Sequence, residues 1–349
     1  MTKEFSRRSF VAGAVGLGVA LAGVRPARAQ EKQIVVANWG GDWNDRTVRY
    51  LEDPYVTKAG YKVVHDLAGS PQRRTKLIAG RLLPRSPIDV AHFEDAGAYE
   101  LAEMGALAVL DETAVPHLKD VDPSLRMPAF VPWQYSAWVI GYNPDTVKEP
   151  PGSFAELWDP RYKGLVGITD AHWAHHVETA ALKTGGSLDA VDVEAVKSAL
   201  LEFKKTVQPR LYPSHLQIAQ AMKNGEVQIS TNYKARLLQF GVDGISVRTR
   251  YPKEGGITMV FGLVVPKNTA NLQAARFYCN ALLSPEGQAN LVKESLYAPA
   301  NGKAPLPPDV AATIAFSNDE QARLKTRSHA FWQKNRSELF DWWNREFKS

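Results

Sequence analysis

The chain has 349 residues with 42 Lys and Arg against 37 Asp and Glu, a formal net charge of +5 and a pI near 9.1. Five of the basic residues (Lys3, Arg7, Arg8, Arg25, Arg28) and one acid (Glu4) fall within residues 1–29, which leaves 37 basic against 36 acidic residues in the remainder. A nearly neutral body excludes a nucleic-acid binder that depends on surplus cations. A composition of 44% hydrophobic and 23% charged residues excludes wholesale disorder, and the length predicts about two domains.

In chain order, Ser6-Arg7-Arg8-Ser9-Phe10 is a twin-arginine pair leading into an apolar, uncharged run from Phe10 to Val24, which ends at the small-x-small triplet Ala27-Arg28-Ala29. The run is shorter than the ~20 residues a membrane-spanning helix needs. Residues 1–29 are therefore expected to be a removable export signal of the twin-arginine kind, and the remainder a soluble protein of the periplasm. The lone Cys279 lies in an apolar helical pattern, which predicts a buried small hydrophobe.

Short β-branched runs then alternate with helical patterns, predicting α/β architecture with largely parallel sheets. Strands are expected at Gln33–Ala37, Tyr61–His65, Ile88–His92, Ala106–Leu110, Ala137–Tyr142, Leu165–Thr169, Val227–Thr231, Ile245–Arg250 and Met259–Val265. Val191–Val207 has the spacing of an amphipathic helix, and Pro308–Phe347 reads as helix throughout. No Pro- or Gly-rich linker separates two halves.

Ligands of parallel α/β sheets bind beyond the carboxyl ends of strands, so the residues after each strand are the candidates. After the first come Trp39, Gly40, Gly41 and Asp42, where glycines allow close backbone approach and Trp39 or Trp43 offers a flat face; Asp42 can equally serve as a helix N-cap. After the third come Glu94 and Asp95, of which Asp95 can cap the next helix and Glu94 can hold an amine. The segment Asp170-Ala171-His172-Trp173-Ala174-His175-His176 is the densest polar cluster. His172 and His176 have i, i+4 spacing, yet Glu178 is off their face, so these histidines are expected to act as neutral cleft or surface groups and no metal site is expected. Tyr233, Lys234 and Arg236 offer a stacking ring and two cations for an anionic group. Motifs for covalent catalysis, metalloprotease chemistry and nucleotide binding are missing, which favours binding over turnover, and no cofactor is expected. The competing class is an exported enzyme using Asp170 or Glu94 with a histidine as acid and base.

The stretches YSAWVIGYN (Tyr135–Asn143), FAELWDPRYKG (Phe154–Gly164), NGEV (Asn224–Val227), YPKEGG (Tyr251–Gly256) and LSPEGQ (Leu283–Gln288) resemble the solute-binding proteins of bacterial ABC importers, in the spermidine/putrescine-type branch. The resemblance spans nearly the whole chain after the signal. It implies a two-lobed periplasmic-binding-protein fold, each lobe a mostly parallel sheet flanked by helices, with the solute held between them. Residues 30–136 with 260–305 are expected to form one lobe and 137–259 with 306–349 the other, hinged near Gln134–Trp138 and Thr258–Val260. It also implies a monomer that hands a small-molecule solute to a permease driven by a cytoplasmic ATPase. By position, Trp39, Tyr233 and Tyr297 fall on or near ligand-contacting aromatics of the polyamine-binding members. Their ligand-holding acids fall near Ala171 and Ala174, and a Trp and an Asp beyond the EGG turn become Met259 and Phe261. Asp170 and Glu94 are the acids available in their place, and Tyr135 and His172 complete the candidate set. Histidines and a basic pair in place of acids point to a ligand less cationic than a polyamine, to one bearing a carboxylate or phosphate, or to a flat heterocycle such as thiamine.

Overall fold

The computed structural model describes residues 32–349; the twin-arginine pair, the apolar run and the expected cleavage site lie outside the described residues. The described strands are β1 (Lys32–Asn38), β2 (Tyr61–Leu67), β3 (Val90–Glu94), β4 (Val131–Tyr142), β5 (Val166–Thr169), β6 (Arg210–Tyr212), β7 (Ile229–Tyr233), β8 (Arg248–Arg250), β9 (Ile257–Val264) and β10 (Ala298–Pro299). They join in the spatial order β2-β1-β3-β9-β4-β7-β5-β6, with β8 and β10 also pairing to β4. Three strands at each end are parallel, β2-β1-β3 and β7-β5-β6. Between them β9 runs antiparallel to both β3 and β4, and β4 antiparallel to β7. The two-lobed α/β architecture follows: each lobe keeps a parallel sheet, and β4 and β9 cross between the lobes.

Those crossing strands carry the expected hinge residues opposite one another, with Gln134 facing Phe261, Ser136 facing Met259 and Ala137 facing Thr258. β4 is buried along almost its whole length, as a strand covered on both faces must be, which explains its mostly apolar sequence, interrupted by the buried Gln134 and Ser136. One core gathers Ile34, Val36, Val90, Phe93, Trp133 and Leu263 with Cys279. A second gathers Trp138, Ile140, Phe154, Ile168 and Phe203. Ile314 joins the first core, whereas Trp332, Leu339, Trp342 and Trp343 join the second.

Two expected elements differ. Ala106–Leu110 is not a strand: only Leu107 bridges, to Pro266, because the segment passes the end of β9 and touches it through Ala108 N–H to Val265 O and Lys267 N–H to Ala106 O. The C-terminal stretch breaks into Pro308–Ile314, Asn318–Ala322 and His329–Trp342, the last running on into a wider helical turn at Trp343–Phe347, rather than forming one helix. Ser317 and Ser328 each cap a new helix start, and between them Lys325 pairs with the beginning of β9 through a bridge to Ile257.

The motifs that carried the resemblance hold this scaffold together. The Glu254 carboxylate of YPKEGG accepts the backbone N–H groups of Phe154 and Ala155 at 3.0 and 3.4 Å, and also the Ser153 hydroxyl, tying it to FAELW. Gly255 sits at φ +102°, and a Cβ there would lie 1.8 Å from the Arg323 carbonyl oxygen. Gly60 has φ +86° but open space around it. Gly255→Ala is therefore expected to destabilise by well over ~1 kcal/mol and Gly60→Ala by less, because only the first adds a backbone clash to the left-handed strain. Denaturant midpoints of the two variants check this, and equal losses would remove the close approach as the cause.

Candidate functional site

The carboxyl ends of β1, β3, β5 and β7, the start of β9 and the segment before the last helix converge on one region. On the first side, Gly41 at φ +65° turns the chain from β1 into the helix Asp42–Thr47. That turn sets Trp39 edge-on to Trp43 (5.1 Å between ring centres) and to Phe261 (5.8 Å). Phe261 and Trp43 also meet Tyr297, at 5.3 and 5.7 Å, so the four rings form an aromatic wall, with Met259 and Ala235 packed against it. Asp42 projects outward and pairs with Arg46 at 3.0 Å; Gly41, not Asp42, occupies the N-cap.

Behind Trp39 lies Arg73, fully buried, its guanidinium 4.1 Å from the centre of the indole. Its nitrogens donate to the carbonyls of His92 and Ala68 and to Ser70 Oγ. Ser70 in turn donates to Glu94 at 2.9 Å, and Trp39 Nε1 contacts Ser70 Oγ at 3.2 Å. Burial pulls the Arg73 pKa down to about 10, against the charges of Glu94 and Asp66. One indole face thus already carries a cation of the protein's own.

On the second side, Tyr233 is buried at the end of β7, its hydroxyl 2.6 Å from His175 Nε2 and 3.4 Å from His172 Nδ1. His172 reaches His215 through facing Nε2 atoms. His175 lies flat against Trp138, ring centres 4.7 Å apart, and its Nδ1 meets Glu178 at 2.7 Å. Glu178, almost wholly buried, also accepts Arg327 Nε at 2.9 Å and Trp332 Nε1 at 2.6 Å. Burial lowers the pKa of His175 and of His172, and takes His215 to about 4, so these imidazoles are neutral at pH 7. Burial pushes the Glu178 carboxyl up, but Arg327 and His175 outweigh it and hold it at about 2.

A third contributor, missed in the sequence, is the segment leading into the last helix. His329 stacks on Tyr99 (5.1 Å, 23°) and its Nε2 is 3.9 Å from Asp95 Oδ2, beyond hydrogen-bond range. Both ring nitrogens of His329 are buried without a hydrogen-bond partner, as is Arg327 Nη2, which lies 2.8 Å from Glu178 Oε1 without hydrogen-bonding alignment. Burial raises Asp95 to about 6, against the Arg327 charge.

Several candidates point elsewhere. Asp170 is bound by Trp343 Nε1 at 2.8 Å and Lys348 at 2.7 Å. His176 donates to the Thr169 carbonyl at 3.1 Å, away from His172, and among the described residues no cluster of His, Cys, Asp or Glu is arranged to hold a metal. Tyr135 donates to Gln321 at 3.1 Å and stacks on Phe316. Lys234, the first residue of the helix that leaves β7, donates to the Ala315 carbonyl at 2.7 Å. Trp39, Glu94, His172, Tyr233, Met259 and Tyr297 are brought together, with Gly40 in the turn below Trp39. Arg73, His215, Arg327 and His329 carried no local motif that marked them, whereas Asp95 stands where the sequence offers a helix cap beside Glu94.

The family model of bacterial extracellular solute-binding proteins matches residues 87–335, well over half of the chain. The spermidine/putrescine-binding periplasmic protein of Escherichia coli is 26% identical over 346 residues, covering 95% of this chain and 94% of its own. Two solved structures share the fold across 91% of this chain. The spermidine/putrescine substrate-binding protein PotD of Streptococcus pneumoniae has a TM-score of 0.76 at 19% identity and 98% of its own chain covered. AgtB of Agrobacterium tumefaciens, solved with agropinic acid, has a TM-score of 0.70 at 21% identity and 99% of its own chain covered. With a family match of that extent and a two-lobed α/β fold whose strand ends meet at one aromatic and polar site, the chain belongs to the bacterial extracellular solute-binding proteins.

Proposed function

We propose that this protein is the periplasmic receptor of an ABC importer and that its solute bears a carboxylate, held between the lobes with its hydrocarbon or ring against Trp39, Phe261 and Tyr297. The observation that carries the ligand class is His329, whose two ring nitrogens are buried without a hydrogen-bond partner, two residues on from Arg327, whose Nη2 is ion-paired to Glu178 but makes no aligned hydrogen bond. A buried polar group without a partner costs about 1–3 kcal/mol, and a ligand carboxylate would give the His329 N–H and Arg327 Nη2 the aligned acceptor that each lacks. The guanidinium already stacked on Trp39 opposes a ligand ammonium at that ring. Solved relatives of this fold are named for polyamines in one case and for an acid in the other, so the scaffold leaves the choice to these side chains.

Closure about Gln134–Trp138 and Thr258–Val260 would bring the two sides onto the solute, and the closed form would then dock on a permease served by an ATPase. The reading extends to a monomer exported by the twin-arginine segment. A polyamine remains the second reading, favoured by Glu94 hydrogen-bonded to Ser70 beneath Trp39. A thermal-shift panel of amino acids, small carboxylates, thiamine, spermidine and putrescine separates them. A cognate solute at ~100 times its Kd should stabilise by about 2.7 kcal/mol. The largest shift is expected from a carboxylate, with affinity reduced at least ~10-fold in Arg327→Gln. If spermidine or putrescine gives the largest shift, the carboxylate assignment is wrong.

A further inference from the structure

A cavity of about 600 Å³ lies among Val139 on β4, Lys234 and Leu238 on the helix leaving β7, Thr249 and Tyr251 at β8, and the stretch Ala311–Glu320. It is separate from the aromatic wall between the lobes and shares no lining residue with it. Its volume falls within the ~300–1,000 Å³ range of small-molecule sites. The cavity arises because β8 pairs with the far end of β4, at Ile140–Tyr142, while the C-terminal chain crosses the same face at a distance.

Lys234 gives this space its chemistry. Its ammonium is buried deeply enough that its pKa is lowered by loss of water. Among the described residues it has no carboxylate within ion-pair distance; its contacts are the Ala315 carbonyl at 2.7 Å and the Phe316 ring at 4.6 Å. Glu320, which also lines the cavity, acts on Lys234 through its charge without an ion-pair contact while its carboxylate caps the helix at Ser317, and Tyr251 donates to the Glu320 carbonyl. Two ammonium N–H groups and the Thr249 hydroxyl are left to meet a ligand, beside the apolar surfaces of Val139, Leu238 and Phe316. A single cation answers a single negative charge, and the apolar walls answer a hydrocarbon or aromatic body.

We infer that this cavity is a second small-molecule site, independent of the site between the lobes, and that it takes a monocarboxylate with an apolar body, its carboxylate on Lys234. The occupant would clamp Ala311–Glu320 onto β4, the strand that crosses between the lobes.

Sodium benzoate, followed by saturation-transfer NMR with the purified protein, is the probe, and benzyl alcohol is its neutral counterpart. Saturable benzoate binding is expected, with benzyl alcohol at least tenfold weaker. Binding should fall tenfold or more both in Lys234→Met and in Ala312→Trp, an exposed helix position whose indole would fill the space, and should persist in Trp39→Ala. The second variant leaves the Lys234–Ala315 contact intact, so its result stands even if Lys234→Met folds poorly. Absence of saturable binding, equal binding of benzyl alcohol, or binding that survives Ala312→Trp and disappears in Trp39→Ala would overturn the assignment. None of these outcomes depends on which solute occupies the site between the lobes.

Discussion

Glu178→Ala is expected to lower stability by about 3–5 kcal/mol, the usual cost of breaking a buried ion pair by removing one partner. Glu178 is 1% exposed and bonds three donors from two distant parts of the chain: His175 Nδ1, Arg327 Nε and Trp332 Nε1. Without it the Arg327 guanidinium stays buried with only Asp95 to answer it, and the Trp332 N–H loses its acceptor. The loss therefore comes mainly from what is left behind rather than from the pair's net attraction. Glu178→Leu with Arg327→Met should accordingly recover most of the stability, since apolar groups of similar size leave no charge in the core. Guanidinium denaturation of both single variants and the double variant measures the coupling. A cost under ~1 kcal/mol for Glu178→Ala, or a double variant as unstable as the sum of the singles, would show that the ion pair does not anchor this region.

The same residue shows where sequence reading stops. Glu178 lies off the helical face shared by His172 and His176, and judged only as a third metal ligand it has no role. Its partners Arg327 and Trp332 lie 149 and 154 residues away, and no periodicity or spacing reports a contact of that span. Trp39, Glu94 and Tyr233 were legible for a local reason: each follows a β-branched run, and strand ends are where such folds place ligands. Lys234 follows the same strand but opens the next helix, and its ammonium goes to the Ala315 carbonyl instead. The stretches that revealed the family, such as YPKEGG and FAELW, bind one another through Glu254. They identify the scaffold and are silent about the solute, for which the proposed carboxylate site relies on Arg327 and His329 outside them.

Lowering the pH from 7 to 5 is expected to destabilise the ligand-free protein by several kcal/mol, and the sign follows from its histidines. Burial depresses His92, His172 and His175 and takes His176 to about 3, with His215 and His329 at about 4. In the unfolded chain each titrates near 6.5. Below that pH the unfolded state takes up protons that the folded state refuses, so this stability is complete above about 6.5 and is lost as pH falls toward 4. Each such group contributes a slope of up to ~1.4 kcal/mol per pH unit. Two groups act the other way. Hydrogen bonding to Glu52 raises His65, and burial raises Asp95 to about 6; both favour the folded state at lower pH and lose that contribution as pH rises through their folded values. Glu178, held at about 2, enters only below about 4.5, outside this window. Six depressed histidines against two raised groups leave a net loss on acidification. Denaturant midpoints at pH 7, 6 and 5 should therefore fall in order, and His215→Gln should flatten the trend by removing one proton acceptor from the unfolded chain. Stability that is flat or rising from pH 7 to 5 would mean the imidazoles are charged in the fold, and the neutral chain from His215 through His172 and Tyr233 to His175 would have to be abandoned.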